Sequence, residues 1–118
     1  MLKGMKIKVE TIEYKKMPYP TVGWWGYARD NTWEIRVAKM SDWRFELCIM
    51  VHELVEMAWC HMQGINVKDV DAFDIEYEEN RKEGDISEPG DDPRAPYHFG
   101  HQVATIVERL VLLALGGS

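Results

Sequence analysis

Cysteine is scarce in this 118-residue chain, with Cys48 and Cys60 the only two. Both fall within one predicted helix, twelve residues or roughly 18 Å apart along its axis, too far for a bridge. That excludes a disulfide framework and points to two reduced thiols in a cytoplasmic setting. Long apolar runs are missing as well. The nearest approach, Val103–Leu115, is interrupted by Glu108 and Arg109, so no transmembrane helix and no membrane partner are expected. The charged start Met1–Lys6 is followed by no apolar stretch and does not read as a signal peptide. No internal repeat and no flexible linker divides the chain, whose length suits a single domain able to bury its own core.

Clustered positive charge is also lacking. The net charge is −6, and residues 69–92 alone carry −9, leaving +3 for the rest. Phosphate binding needs a concentrated basic face, so nucleic acid is not expected as a partner. The acidic run reads first as a solvated helix face and loop.

What is present begins with alternation. Ile7, Val9 and Ile12 interleave with Lys8, Glu10 and Glu13, which predicts a strand over 6–14. Residues 21–29 and 32–39 are rich in Trp, Tyr, Val and Ile and predict two more, with Asp30-Asn31 as a hairpin turn between them. Trp24, Trp25, Tyr27 and Trp33 are expected in the sheet core. The period then lengthens. Ser41 or Asp42 can cap a helix running to about Gln63, with Gly64 as its stop. Asp69 can cap a second helix to about Lys82, and residues 84–96, with three prolines and two glycines, form a long irregular loop. A last helix runs from about Tyr97 to Leu115. Strands followed by helices predict an α+β fold, a small antiparallel N-terminal sheet packed on two or three helices.

The chemistry centres on His52-Glu53-x-x-Glu56. Four residues apart on a helix, His52 and Glu56 share one face, with Glu53 off to the side. This is the spacing of the H-E-x-x-H zinc motif with a carboxylate in place of the second imidazole. A helical wheel with Trp43 at 0° puts the apolar arc from Leu54 at ~20° to Trp59 at ~160°, with His52 at ~180° and Glu56 at ~220° on its margin. On the last helix His101 and Glu108 fall on the margin of a second apolar arc that includes Ile106, Phe99, Leu110 and Val103. Packing of the two arcs would bring His101 to His52 and Glu56, giving three ligands for Zn2+ and an open position for water, with Glu53 as the general base. His98 is the rival third ligand. Glu108 reads as a supporting or ion-paired group and His61 as a charge near a helix C-terminus. Tyr97 is a candidate hydrogen-bond donor to a developing oxyanion.

His52-Glu53-x-x-Glu56 after a small sheet resembles the minimal zincin core of metallopeptidases. Phe73-Asp74, Glu88-Pro-Gly-Asp-Asp-Pro, Ala95-Pro-Tyr97-His98-x-x-His101 and Val107-Glu108-Arg109 look like those of small phage and prophage proteins described as metallopeptidases. The resemblance spans roughly residues 30–115. It implies a zincin-like fold, metal ligands at His52 and on the last helix, and a zinc-dependent peptidase acting on a peptide or protein. Such a protein would work in the bacterial host cytoplasm as a monomer or small homo-oligomer. Strand 33–39 could align the substrate as a sheet edge, and loop 84–96 could cover the cleft. The alternative is a metal-stabilised accessory or regulatory binding protein without turnover.

Overall fold

The computed structural model describes residues 4–117; Met1–Lys3, part of the stretch considered as a leader, lie outside the described residues. Three strands precede three helices: β1 Ile7–Ile12, β2 Gly23–Tyr27, β3 Trp33–Ala38, α1 Trp43–Gln63, α2 Val67–Glu79 and α3 His98–Ala114. The α+β arrangement therefore holds. The sheet is mixed rather than wholly antiparallel. Its order is β1-β3-β2, with β2 antiparallel to β3 and β1 parallel to it, Ile7 opposite Trp33 and Ile12 opposite Ala38. Strand 33–39 is accordingly central, not an edge, and β1 and β2 are the edges. Alternation within a strand shows which residues share a face but carries no information on its neighbours, which is why this order was not legible.

The caps set the helix boundaries. Asp42 accepts from the Arg44 amide at 2.9 Å and starts α1, and Gly64 ends it at φ 73°, a left-handed position that glycine adopts without strain. The second helix begins earlier than Asp69 because Asn66 accepts from the Lys68 amide at 2.8 Å. It also stops short of Lys82, at Glu79.

The core gathers Trp25, Ile35 and Val37 from the sheet, Met57 and Cys60 from α1, and Val70 from α2. Trp24, Tyr27 and Trp33 are only half-buried. On α1 the buried face is not the expected arc. Cys48, His52, Glu53, Glu56, Met57 and Cys60 are buried, whereas Trp43, Ala58 and Met62 are exposed and Leu47, Val51 and Leu54 half-buried. The polar margin of the wheel is thus the centre of the packed face. α1 is apolar around most of its circumference, so periodicity leaves its phase open. On α3 only one flank of the wide apolar arc packs inward: Ala104 is buried beside His101, while Phe99, Ile106 and Leu110 face out. No helix among the described residues is long and apolar enough to cross a membrane.

Candidate metal centre

α1 runs between the sheet and α3, and the site lies where all three meet. His52, Glu56 and His101 are buried, and each offers a ligand atom within 4.8 Å of the others, forming a triad that could bind a metal. Glu56 Oε2 is the common point. It lies 3.3 Å from His52 Nε2 and 3.4 Å from His101 Nδ1. Both separations exceed those of good N–H···O hydrogen bonds. They do match the roughly 3.3 Å between neighbouring ligands on a tetrahedron of radius ~2.0–2.1 Å. The other carboxylate oxygen, Oε1, accepts from the Trp25 indole at 3.2 Å.

Each imidazole has a carboxylate on its far side. His52 Nδ1 lies 2.7 Å from Glu108 Oε1, close enough for an ion pair but misaligned for a hydrogen bond, so this buried nitrogen has no hydrogen-bond partner among the described residues. His101 Nε2 faces Asp91 at 3.1 Å and Glu88 at 3.4 Å. Carboxylates behind ligating histidines fix ring orientation and raise ligand basicity. The donor set, two imidazole nitrogens and one carboxylate oxygen, therefore could hold a metal ion.

The electrostatics agree. Burial opposes charge on both imidazoles, but the neighbouring carboxylates prevail: Glu108 and Glu56 raise His52 to about 11, and Glu56 and Glu88 raise His101 to about 10. Burial would raise Glu56, but contacts with His101 and His52 hold it below its ordinary value. Glu53 goes the other way, pushed well above the carboxylate range by burial and then by Glu56. Two imidazoles among five carboxylates make a place where positive charge is strongly favoured.

Glu53 takes no place in the triad. Its carboxylate lies 4.0 Å from His52 Nε2 and forms part of the wall of a cleft of about 370 Å³. Gly23 on edge strand β2 packs against it so closely that an added Cβ would stand 2.8 Å from Glu53 Cγ. Tyr97 lines the same cleft, and its hydroxyl donates to Asp74 Oδ1. Tyr19 donates to Asp74 Oδ2 at 2.9 Å, and burial raises Asp74 to about 7. His98 lies apart, with Nδ1 2.8 Å from the Gly90 carbonyl oxygen. His61 is exposed, and its Nδ1 sits 2.8 Å from the Tyr27 hydroxyl.

Sequence reasoning reached the triad, Glu53 and the supporting Glu108. It missed Trp25 as a donor to Glu56, Asp74 as the partner of two tyrosines, and Glu88 and Asp91 behind His101. The last three belong to the acidic run, whose composition alone reads as solvated surface. Gly90 carried a signal: between two acids in a proline-rich loop, it lets the backbone press against the His101 ring, where any Cβ would collide. Comparison with protein-family models, curated proteins and solved structures finds no match.

Proposed function

We propose that this chain is a small zinc-dependent hydrolase that cleaves peptide bonds, a phage-type zincin-like enzyme working in the cytoplasm of a bacterial host. The observation that carries the reading is the convergence of His52 Nε2 and His101 Nδ1 on Glu56 Oε2, at 3.3 and 3.4 Å, all three ligand groups within 4.8 Å and each imidazole backed by a carboxylate. When bound, zinc supplies Lewis-acid polarisation of a carbonyl and lowers the pKa of a water toward about 7.

The chain's own residues supply the rest. Glu53, beside the triad but outside it, takes the proton of the attacking water and returns it to the leaving amine. Burial and the neighbouring Glu56 carboxylate raise its pKa, which favours its holding the proton taken from the water until the amine departs. Tyr97 would donate to the developing oxyanion, its hydroxyl turning from Asp74 to do so. The peptide would lie along β2, an edge strand whose first residue, Gly23, lines the cleft beside Glu53, so its unpaired side could add a substrate strand. Both cysteines are free and buried, in keeping with a cytoplasmic protein.

The test is elemental analysis of the purified protein together with cleavage of a broad peptide library. About one zinc per chain with cleavage abolished in Glu53→Gln supports the proposal. Zinc without cleavage by the wild type favours the metal-stabilised binding protein, and no zinc at all removes both readings.

A further inference from the structure

We propose that the chain forms a homodimer through the outer face of α3. That face carries an apolar stripe at Phe99, Val103, Ile106, Leu110 and Leu113. The successive steps of four, three, four and three residues are the seam spacing of a coiled coil. At 100° per residue the stripe centres roughly 160° around the helix from His101. One side of α3 therefore serves the triad, while the other, apart from Trp59 beside Phe99, is left largely uncovered by the described residues. Val103 is half-buried, and Phe99, Ile106, Leu110 and Leu113 are 59%, 61%, 61% and 66% exposed.

The amount of surface points to an occupant. Those four side chains leave roughly 400 Å² of apolar surface in water, within the range where a contiguous patch on a soluble protein marks an interaction site. Trp59 extends it, its ring 5.8 Å from that of Phe99. The four side chains supply about half of the ~800 Å² that each partner contributes to a standard interface, the remainder falling to Val103, Trp59 and the polar rim.

The order of residues points to a second copy. The stripe is symmetric about Ile106, with Leu110 and Val103 at +4 and −3 and Leu113 and Phe99 at +7 and −7. An antiparallel pair of α3 helices with a two-fold axis at Ile106 sets Ile106 on its own copy, Val103 beside Leu110 and Phe99 beside Leu113. Every apolar residue then meets an apolar residue, as a self-complementary interface requires. A membrane surface is the poorer occupant, because amphipathic helices that lie on lipid are rich in Lys and Arg and α3 holds only Arg109.

The test is the mass of the full chain in solution across a concentration series, by light scattering or sedimentation velocity. A species of twice 13.8 kDa is expected. Ile106→Glu places like charges together on the axis and should halve that mass, with helix content and metal content unchanged. Leu110→Lys should do the same. In oxidising conditions Ile106→Cys should cross-link two copies, whereas Glu79→Cys, on the exposed end of α2, should not. A wild type that stays monomeric throughout, a dimer that survives Ile106→Glu, or a monomer that binds anionic vesicles through this face would each overturn the proposal.

Discussion

The Trp25 indole donates to Glu56 Oε1 across 3.2 Å and so decides which carboxylate oxygen faces the two histidines. A sheet residue thereby orients a helix residue, and the sheet becomes part of the site.

Trp25→Phe keeps most of the packing and removes that donor. It is expected to cost about 1–3 kcal/mol in denaturant unfolding, because a buried oxygen loses its partner. If Trp25 holds Glu56 for the ion, zinc affinity should also fall about 10–100-fold, measured by competition with a chelating dye.

The ligand assignment is tested by alanine substitutions. His52→Ala and His101→Ala should lose zinc, whereas His98→Ala, which removes only a contact to the Gly90 carbonyl, should keep it. At zinc concentrations ~100-fold above Kd, loss of binding should lower Tm by roughly 10 °C. Equal zinc content in His101→Ala and the wild type would show that the triad is drawn wrongly.

Much of the centre was legible because it depends on local periodicity. His52 and Glu56 share a face through i, i+4 spacing, and His101 and Glu108 mark the facing side of α3. The phase of α1 was not legible. Leu47, Val51 and Leu54 compose a more apolar arc than the one that is buried, and the choice was made by long-range partners: Trp25 and His101 meet the Glu56 carboxylate, and Glu108 offers His52 an opposite charge. The loop partners were hidden for a related reason. Glu88 and Asp91 look like surface acids until Gly90 brings the backbone against His101. The crossover from β1 to β3 left no mark in the alternation of either strand.

Glu53→Gln separates ligand from base. The variant should retain zinc, since Glu53 lies outside the triad, and its cleavage rate should fall about 10²–10⁴-fold. Loss of zinc in this variant would make Glu53 a ligand.

Gly23→Ala probes the same carboxylate from β2. The new methyl group would arrive 2.8 Å from both Glu53 Cγ and Ile49 Cγ2, so one of them must move. A stability cost of about 1–3 kcal/mol is expected, with zinc retained and cleavage reduced. Unaltered kinetics in a variant whose structure shows the Glu53 carboxylate displaced would mean that Glu53 is not acting as the base.

The pH dependence follows from the histidines. With folded values of about 11 for His52 and about 10 for His101, both imidazoles are charged at neutral pH in the ion-free protein. Both values lie above the unfolded ~6.5. Their contribution is therefore complete below pH ~6.5 and is lost as pH rises through about 10 and then about 11. Chelator-treated protein should melt at falling temperatures across that window. Zinc must displace these protons, so its binding should release them and tighten as pH rises. Calorimetry in buffers of different ionisation enthalpy measures the release.

The order of the strands bears on how the chain assembles. β3 lies between two strands that both precede it, so neither edge has a hydrogen-bonding partner until residues 33–38 are available. β2 and β3 are joined by a short turn, whereas β1 reaches β3 only across the intervening hairpin. Closing the shorter loop loses less entropy, so the hairpin is expected to form first and to serve as the template on which β1 docks. β1 is also the strand with no buried residue, only Ile12 being half-buried. Its amides should be the first of the sheet to exchange with deuterium, well before the β3 amides that donate to β2, because β1 can detach while the hairpin and α1 remain closed over the triad.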